Sequence, residues 1–226
     1  MEQGKILLVA GCEPRLKAAA ARLVEYADVF CAEEGTLCTP ADALLLPMPA
    51  ARREIVLAPL LAQVRHGGFV FAGLFTDAER AEIQRAGLLP CDYARQERFA
   101  VRNAVPTAEG AIQLAMENLP VTLHGLPVVV LGMGRLARAL VPRLLALGAR
   151  VAVIARRGEA RAEAESFGAR AFGFGRMGDI IGSVRLIVNT VPARILGMQE
   201  LAKISPDALL LDISSAPYGA GSGYNR

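Results

Sequence analysis

The run Val128-Val129-Val130-Leu131 feeds straight into Gly132-Met133-Gly134-Arg135-Leu136-Ala137, and apolar helical spacing follows at once. No other segment restricts the fold as tightly. A short β-branched run of this kind reads as a strand buried on both faces, the condition of a parallel sheet. A Gly-x-Gly-x-x-Ala turn between such a strand and a helix is a dinucleotide-binding arrangement. Gly132 permits the sharp turn, Gly134 lets a pyrophosphate reach the backbone, and Ala137 lets the helix lie close on the strand. Met133, Arg135 and Leu136 occupy the variable positions of the same cofactor-binding turn. The helix, read over residues 138–147, offers free N–H groups and its positive dipole end to phosphate. Gly148 stops it, and Val151 to Ala155 reads as the next strand.

The end of that second strand bears on which dinucleotide is bound. An Asp or Glu about 20 residues past the first glycine would hold the ribose hydroxyls of NAD. Here the sequence is Ile154-Ala155-Arg156-Arg157-Gly158, with two guanidiniums and no acid. Arg forks match phosphate oxygens, so Arg156 and Arg157 favour NADP(H), with NAD(H) still open. Two later strands end in polar residues, at Asn189-Thr190-Val191-Pro192 and at Asp212. The carboxyl ends of parallel strands line the ligand crevice, so these are expected beside the nicotinamide ribose. A plain turn-capping role for Asn189 and Thr190 is the alternative.

Strand and helix patterns alternate through the rest of the chain. Residues 6–10, 29–32, 43–46 and 69–72 read as strands. Helices are expected from Pro14 to Tyr26, from Arg53 to Arg65 and after the cap Thr76. A longer helical segment, Glu97 to Asn118, is expected to break at Pro106, with Thr107 capping its second half. The fold class is therefore α/β in two lobes: a flavodoxin-like parallel N-terminal domain and a C-terminal Rossmann domain, joined by long helical segments. The boundary is placed near 122, giving domains 1–122 and 123–226.

Composition removes other classes. With 53% hydrophobic and 21% charged residues, the 226-residue chain can bury a real core, which excludes disorder. Its net charge of +3 comes from arginines spread along the chain, with no basic run, so a nucleic-acid surface is not expected. No apolar stretch approaches the ~18 residues of a spanning helix, and the N-terminus has no signal pattern, so a cytoplasmic protein is expected. The four cysteines lack metal spacing with the two histidines, so no metal site is expected.

With these pieces assembled, the chain resembles the A-subunit family of dipicolinate synthase, the sporulation enzyme of endospore-forming bacteria. The resemblance rests on Asn103-Ala104-Val105-Pro106-Thr107-Ala108-Glu109-Gly110-Ala111, on Thr122-Leu123-His124-Gly125, on the glycine turn, on Ile187 to Pro192 and on Leu211 to Ser215. It implies NADP-linked oxidation of a cyclic dihydrodipicolinate-pathway intermediate to pyridine-2,6-dicarboxylate, with hydride passing to a nicotinamide. It also implies a small dicarboxylate substrate, a flavoprotein-like partner (the B-subunit of dipicolinate synthase), and a homo- or hetero-oligomer. Thr107 and Arg194 are then the candidate carboxylate contacts, and Pro47 and Met48 a wall of the cleft. Glu109 and His124 are the candidates for proton transfer, against readings as a first-turn helix acid and a hinge residue. Residues 217–226 carry only loop signals where the family continues into a further strand and a helix. The nucleotide-binding sheet is accordingly expected to lack its last strand.

Two other readings remain. One is a different two-lobed dehydrogenase acting on a shikimate-like or hydroxy acid, though Lys5, Lys17 and Lys203 are poorly placed for a shikimate-type lysine. The other is a nucleotide-binding subunit without turnover.

Overall fold

The computed structural model of the chain describes residues 5–11, 13–35, 37–49 and 55–214. The chain divides into two compact units, residues 1–100 and 101–226. In the first, strands β1 (Ile6–Val9), β2 (Asp28–Cys31), β3 (Ala41–Leu45), β4 (Val64–Ala72) and β5 (Leu89–Asp92) alternate with helices α1 (Pro14–Leu23), α2 (Leu57–Leu61) and α3 (Asp77–Arg85). All pairings are parallel, in the order β2-β1-β3-β4-β5. This is the flavodoxin-like order, with the reversal of strand order between β1 and β3. Leu8, Leu44 and Val70, all fully buried, form the centre of one face with Ile83 of α3.

The second unit opens on α4 (Glu97–Asn118), whose first turn still belongs to the first unit. Then come β6 (Pro127–Leu131), α5 (Arg135–Ala146), β7 (Arg150–Ile154), α6 (Gly158–Ser166), β8 (Arg170–Phe172), α7 (Met177–Ile180), β9 (Leu186–Asn189), α8 (Met198–Leu201) and β10 (Leu209–Asp212). The strands are again all parallel, in the order β10-β9-β6-β7-β8. That is the Rossmann order, and the reversal lies between β6 and β9. Val128, Val129, Val130 and Leu131 are all fully buried, as an uninterrupted apolar run in a two-sided sheet requires. Alternate residues serve opposite faces: Val128 and Val130 join the cluster with α4 and α5, while Val129 and Leu131 join the one with α7.

Three expectations need correction. The division falls at 100/101, not near 122. The cause is a stripe of small residues on α4: Ala108, Ala111 and Ala115 are buried in the core that α5 and β6 share, so the helix packs with the second unit. Nor does α4 break at Pro106. The helix is continuous, and Thr107, rather than capping, donates its hydroxyl hydrogen to the Asn103 carbonyl at 2.7 Å. Pro106 is tolerated because it is exposed, as is Arg102, whose carbonyl loses a helical partner. Third, Val64 and Arg65 are strand rather than the end of a helix, since β4 begins at Val64 and pairs there with Ala41. Strand β5 is not expected from the sequence, because Pro90 reads as a strand breaker. It is accommodated because β5 is the edge strand of its sheet. The expectation about residues 217–226 falls outside the described residues.

Thr76 meets its expected role. Its hydroxyl oxygen accepts from the Glu79 N–H at 3.2 Å, while the Glu79 carboxylate accepts from the Thr76 N–H at 2.7 Å. Such a reciprocal box satisfies two orphan donors of a helix start. Thr76→Ala should therefore lower stability by about 1 kcal/mol. Urea unfolding with an unchanged slope checks it, and a loss indistinguishable from zero would remove the box from the stabilising interactions.

Candidate nucleotide site of the second unit

The turn after β6 is held from both sides. On one side, the Gly132 N–H donates to the Ile154 carbonyl of β7 at 2.8 Å. On the other, the Leu131 carbonyl accepts both the Thr190 N–H at 3.0 Å and the Thr190 hydroxyl at 2.8 Å. Gly132 has φ +93, and a Cβ there would lie 2.8 Å from Thr190 Oγ1 and from Val191 Cγ2. Only glycine fits, for backbone and packing reasons together. Gly134 differs. It is the N-cap of α5 with extended backbone, and a Cβ on it would meet nothing within 4 Å. The open space lies at the start of a twelve-residue helix whose N-cap has no side chain to satisfy the first N–H groups. A pyrophosphate fits that cradle, and Gly132 to Ala137 would hold it. Met133 and Ala137 are buried as packing, with Ala137 at 0% exposure beneath the helix. Arg135 is exposed at the first helical position and Leu136 is partly buried in the core.

Asn189 is wholly buried and its amide is fully engaged. It donates to Asp212 Oδ1 at 3.0 Å and to the Val191 carbonyl at 3.4 Å, and accepts from the Val191 N–H at 3.1 Å. Asp212 Oδ1 also accepts the Ser214 N–H at 3.1 Å and the Ser214 hydroxyl at 2.7 Å. These two residues thus build the loop instead of offering free side chains to a ligand. The structure favours the turn-capping reading of Asn189 over direct contact. What the network presents at the sheet's carboxyl edge is the loop Thr190-Val191-Pro192, of which Pro192 is exposed. Arg194 is exposed further along the same loop.

Arg156 and Arg157 stand exposed at the tip of β7, Arg157 as the N-cap of α6. Arg161, which sequence reasoning passed over, donates from Nη1 to the Ala155 carbonyl at 3.1 Å and the Arg156 carbonyl at 2.8 Å. Its position four residues after Arg157 was the available signal. One helical turn brings such a side chain back to the strand end.

The proton-transfer candidates lie elsewhere. His124 precedes β6, and its ring is packed on Gly148, where a Cβ would clash with Nδ1. Gly125 N–H donates to the Gly148 carbonyl at 2.8 Å, closing the same corner. This is the amino edge of the sheet, and β6 separates it from the glycine turn by about 16 Å at ~3.3 Å per residue. The hinge reading of His124 is the one the structure supports. Glu109 lies mid-helix, not in a first turn, and faces Arg143 Nε at 3.7 Å across α4 and α5. Arg143 is nine residues beyond Gly134, about 13 Å along the α5 axis at ~1.5 Å per residue. Both groups therefore lie well away from the nucleotide turn. Within the first unit, Pro47 and Met48 do lie at the carboxyl edge: Pro47 packs on Gly11 after β1, and Met48 on Gly73 after β4. Among the described residues no cluster of three His, Cys, Asp or Glu could hold a metal, and no helix is long and apolar enough to cross a membrane.

A five-stranded Rossmann sheet with a glycine cradle at the β6 turn defines a nicotinamide-nucleotide-binding dehydrogenase domain. Residues 98–218, more than half of the chain, match the model of the D-isomer specific 2-hydroxyacid dehydrogenase NAD binding domain, and the chain belongs to that family. More particularly, it is a protein like the A-subunit of dipicolinate synthase. It is 33% identical over 129 residues to that subunit from Bacillus subtilis (strain 168), a match spanning 57% of this chain and only 43% of the relative's length. The crystal structure of the dipicolinate synthase A-subunit from Bacillus halodurans superposes with TM-score 0.87 at 23% identity, covering 97% of this chain and 85% of the other. Its Bacillus subtilis counterpart gives TM-score 0.82 at 25% identity, covering 97% and 84%.

Two substitutions check the site. Gly134→Val should leave the fold intact, since its Cβ enters open space, yet abolish nucleotide binding by filling the cradle. Calorimetric titration of NADPH into the folded variant reads it, and unchanged affinity would remove the turn from the site. Conversely, His124→Ala should leave NADPH affinity within about twofold, because its ring lies at the other edge of the sheet. A tenfold loss in that variant would restore His124 to the site.

Proposed function

We propose that the chain is an NADP-linked oxidoreductase of the dipicolinate synthase type. In this reading it oxidises a cyclic dicarboxylate precursor to pyridine-2,6-dicarboxylate in a spore-forming bacterium, together with a second, flavoprotein-like subunit. The observation that carries it is the 33% identity to the dipicolinate synthase A-subunit, which coincides with an intact glycine cradle. When bound, the nicotinamide accepts the hydride. The chain's own residues supply the rest: the turn from Gly132 to Ala137 seats the pyrophosphate, and the Thr190-Val191-Pro192 loop borders the nicotinamide ribose. Arg194, exposed on the loop after β9, is proposed for a substrate carboxylate, whereas the Thr107 hydroxyl is already committed to the Asn103 carbonyl. Glu109 is paired with Arg143 and His124 is packed on Gly148, so neither is proposed for proton removal.

Preference for NADP over NAD rests on Arg156 and Arg157. Both are exposed at the strand tip that carries the adenosine ribose in this fold. Neither has a carboxylate within ion-pair distance among the described residues. The nearest acid in sequence, Glu159, sits in the first turn of α6 and is also exposed.

Purified chain, with and without a dipicolinate synthase B-subunit, should form dipicolinate from the cyclic precursor with NADP, followed by absorbance. Nucleotide binding without turnover in both preparations would leave a non-catalytic binding protein instead. For the cofactor, Arg156→Ala/Arg157→Ala should weaken NADP(H) by roughly 1.5–3 kcal/mol, ten- to more than a hundredfold, with NAD(H) within a few-fold. The effect should shrink as salt rises, since the side chains are exposed and screened. Equal losses for both cofactors would sink the assignment.

A further inference from the structure

The tip of β7 is more tightly organised than a strand end needs to be. Ile154 gives its carbonyl to Gly132, and Ala155 gives its N–H to the Phe172 carbonyl of β8 at 3.0 Å. Two carbonyls remain at the point where the chain leaves the sheet, those of Ala155 and Arg156. A single nitrogen of Arg161 takes both. Arg161 is partly buried, and its Nη2 lies 3.8 Å from where a Cβ on Gly158 would stand. The guanidinium therefore spans from the strand end to the first residue of α6.

We propose that Arg161 is the positioning residue of a 2′-phosphate site, turning the two tip peptides so that Arg156, Arg157 and their backbone N–H groups converge on the anion. The inference rests on the NADP reading above and adds the residue that makes it work. A trans peptide directs its N–H opposite to its C=O. Fixing the Ala155 and Arg156 carbonyls toward Arg161 thus directs the N–H groups of Arg156 and Arg157 to the other side. It also takes two carbonyl oxygens, which would repel a phosphate, out of the anion's way. The positive charge of Arg161 is not cancelled by an acid: Glu163, two residues on, is held bidentately by Arg138 at 2.8 and 3.0 Å. Among the described residues no carboxylate pairs with Arg161.

Adenosine fragments test this without turnover. The probes are 2′,5′-ADP, which carries the 2′-phosphate, and 5′-AMP, which does not, titrated by calorimetry into the full chain. Wild type should prefer 2′,5′-ADP, and Arg156→Ala/Arg157→Ala should abolish that preference. Arg161→Ala should cut the preference by about tenfold while 5′-AMP affinity stays within twofold, which also reports a folded site. Arg161→Lys keeps the charge but replaces the rigid fork with a single flexible ammonium, so it should recover little of the preference. Full recovery with Lys would overturn the clamp in favour of charge alone. Equal loss of both probes in Arg161→Ala would mark a merely structural residue and overturn the proposal. If only the double variant loses preference, the 2′-phosphate reading stands and the role of Arg161 falls. A wild type without preference overturns both.

Discussion

The second unit depends on the Leu131 carbonyl accepting two hydrogen bonds from Thr190. That pair draws the loop after β9 across the end of β6 so closely that no Cβ fits on Gly132. The cost of an extra atom there is steric and cannot be relieved, because two β-branched side chains on a tethered loop form the contact. From this one closure follow the sharp turn, the immediate start of α5 at Arg135 and the open space above Gly134. The phosphate cradle is therefore a by-product of how β9 is tied to β6 at the point where strand order reverses.

Charge is distributed to protect this geometry. Asn189, though entirely buried, is satisfied by Asp212 and by the backbone of Val191, as a buried amide must be. Ser214 completes the set by giving both its N–H and its hydroxyl to the same Asp212 oxygen. Arg138 and Glu163 join α5 to α6, and among the described residues no carboxylate pairs with the arginines of the β7 tip.

The first unit uses close packing at the equivalent edge. Met48 lies so near Gly73 that a Cβ would come within 2.5 Å of its Cγ, and Pro47 covers Gly11. Leu74 takes the left-handed conformation, φ +62, with its N–H held by Asp92 at 3.1 Å. Asp92 also binds Arg80 and Arg95, so one nearly buried carboxylate joins β5, α3 and the loop after β4. Beside it, burial pushes the Tyr93 phenol above its ordinary range, with Glu13 adding to the effect.

Local sequence determined the strand–turn–helix unit, the parallel α/β class, the Thr76 cap and the arginine pair at the β7 tip. Each is written in neighbouring residues: glycine spacing, β-branched runs, or a capping residue with its partner three positions on. Tertiary structure decided what depends on residues far apart. Whether Asn189 faces a ligand or Asp212 is settled 23 residues along the chain. The place of α4 is set by an alanine stripe that finds its partner only when α5 forms, so the division falls at 100/101. His124 and Glu109 look catalytic in the sequence because their residue types can carry protons. Packing against Gly148 and pairing with Arg143 set their direction, and no spacing in the sequence records which way a side chain will face once its neighbours arrive.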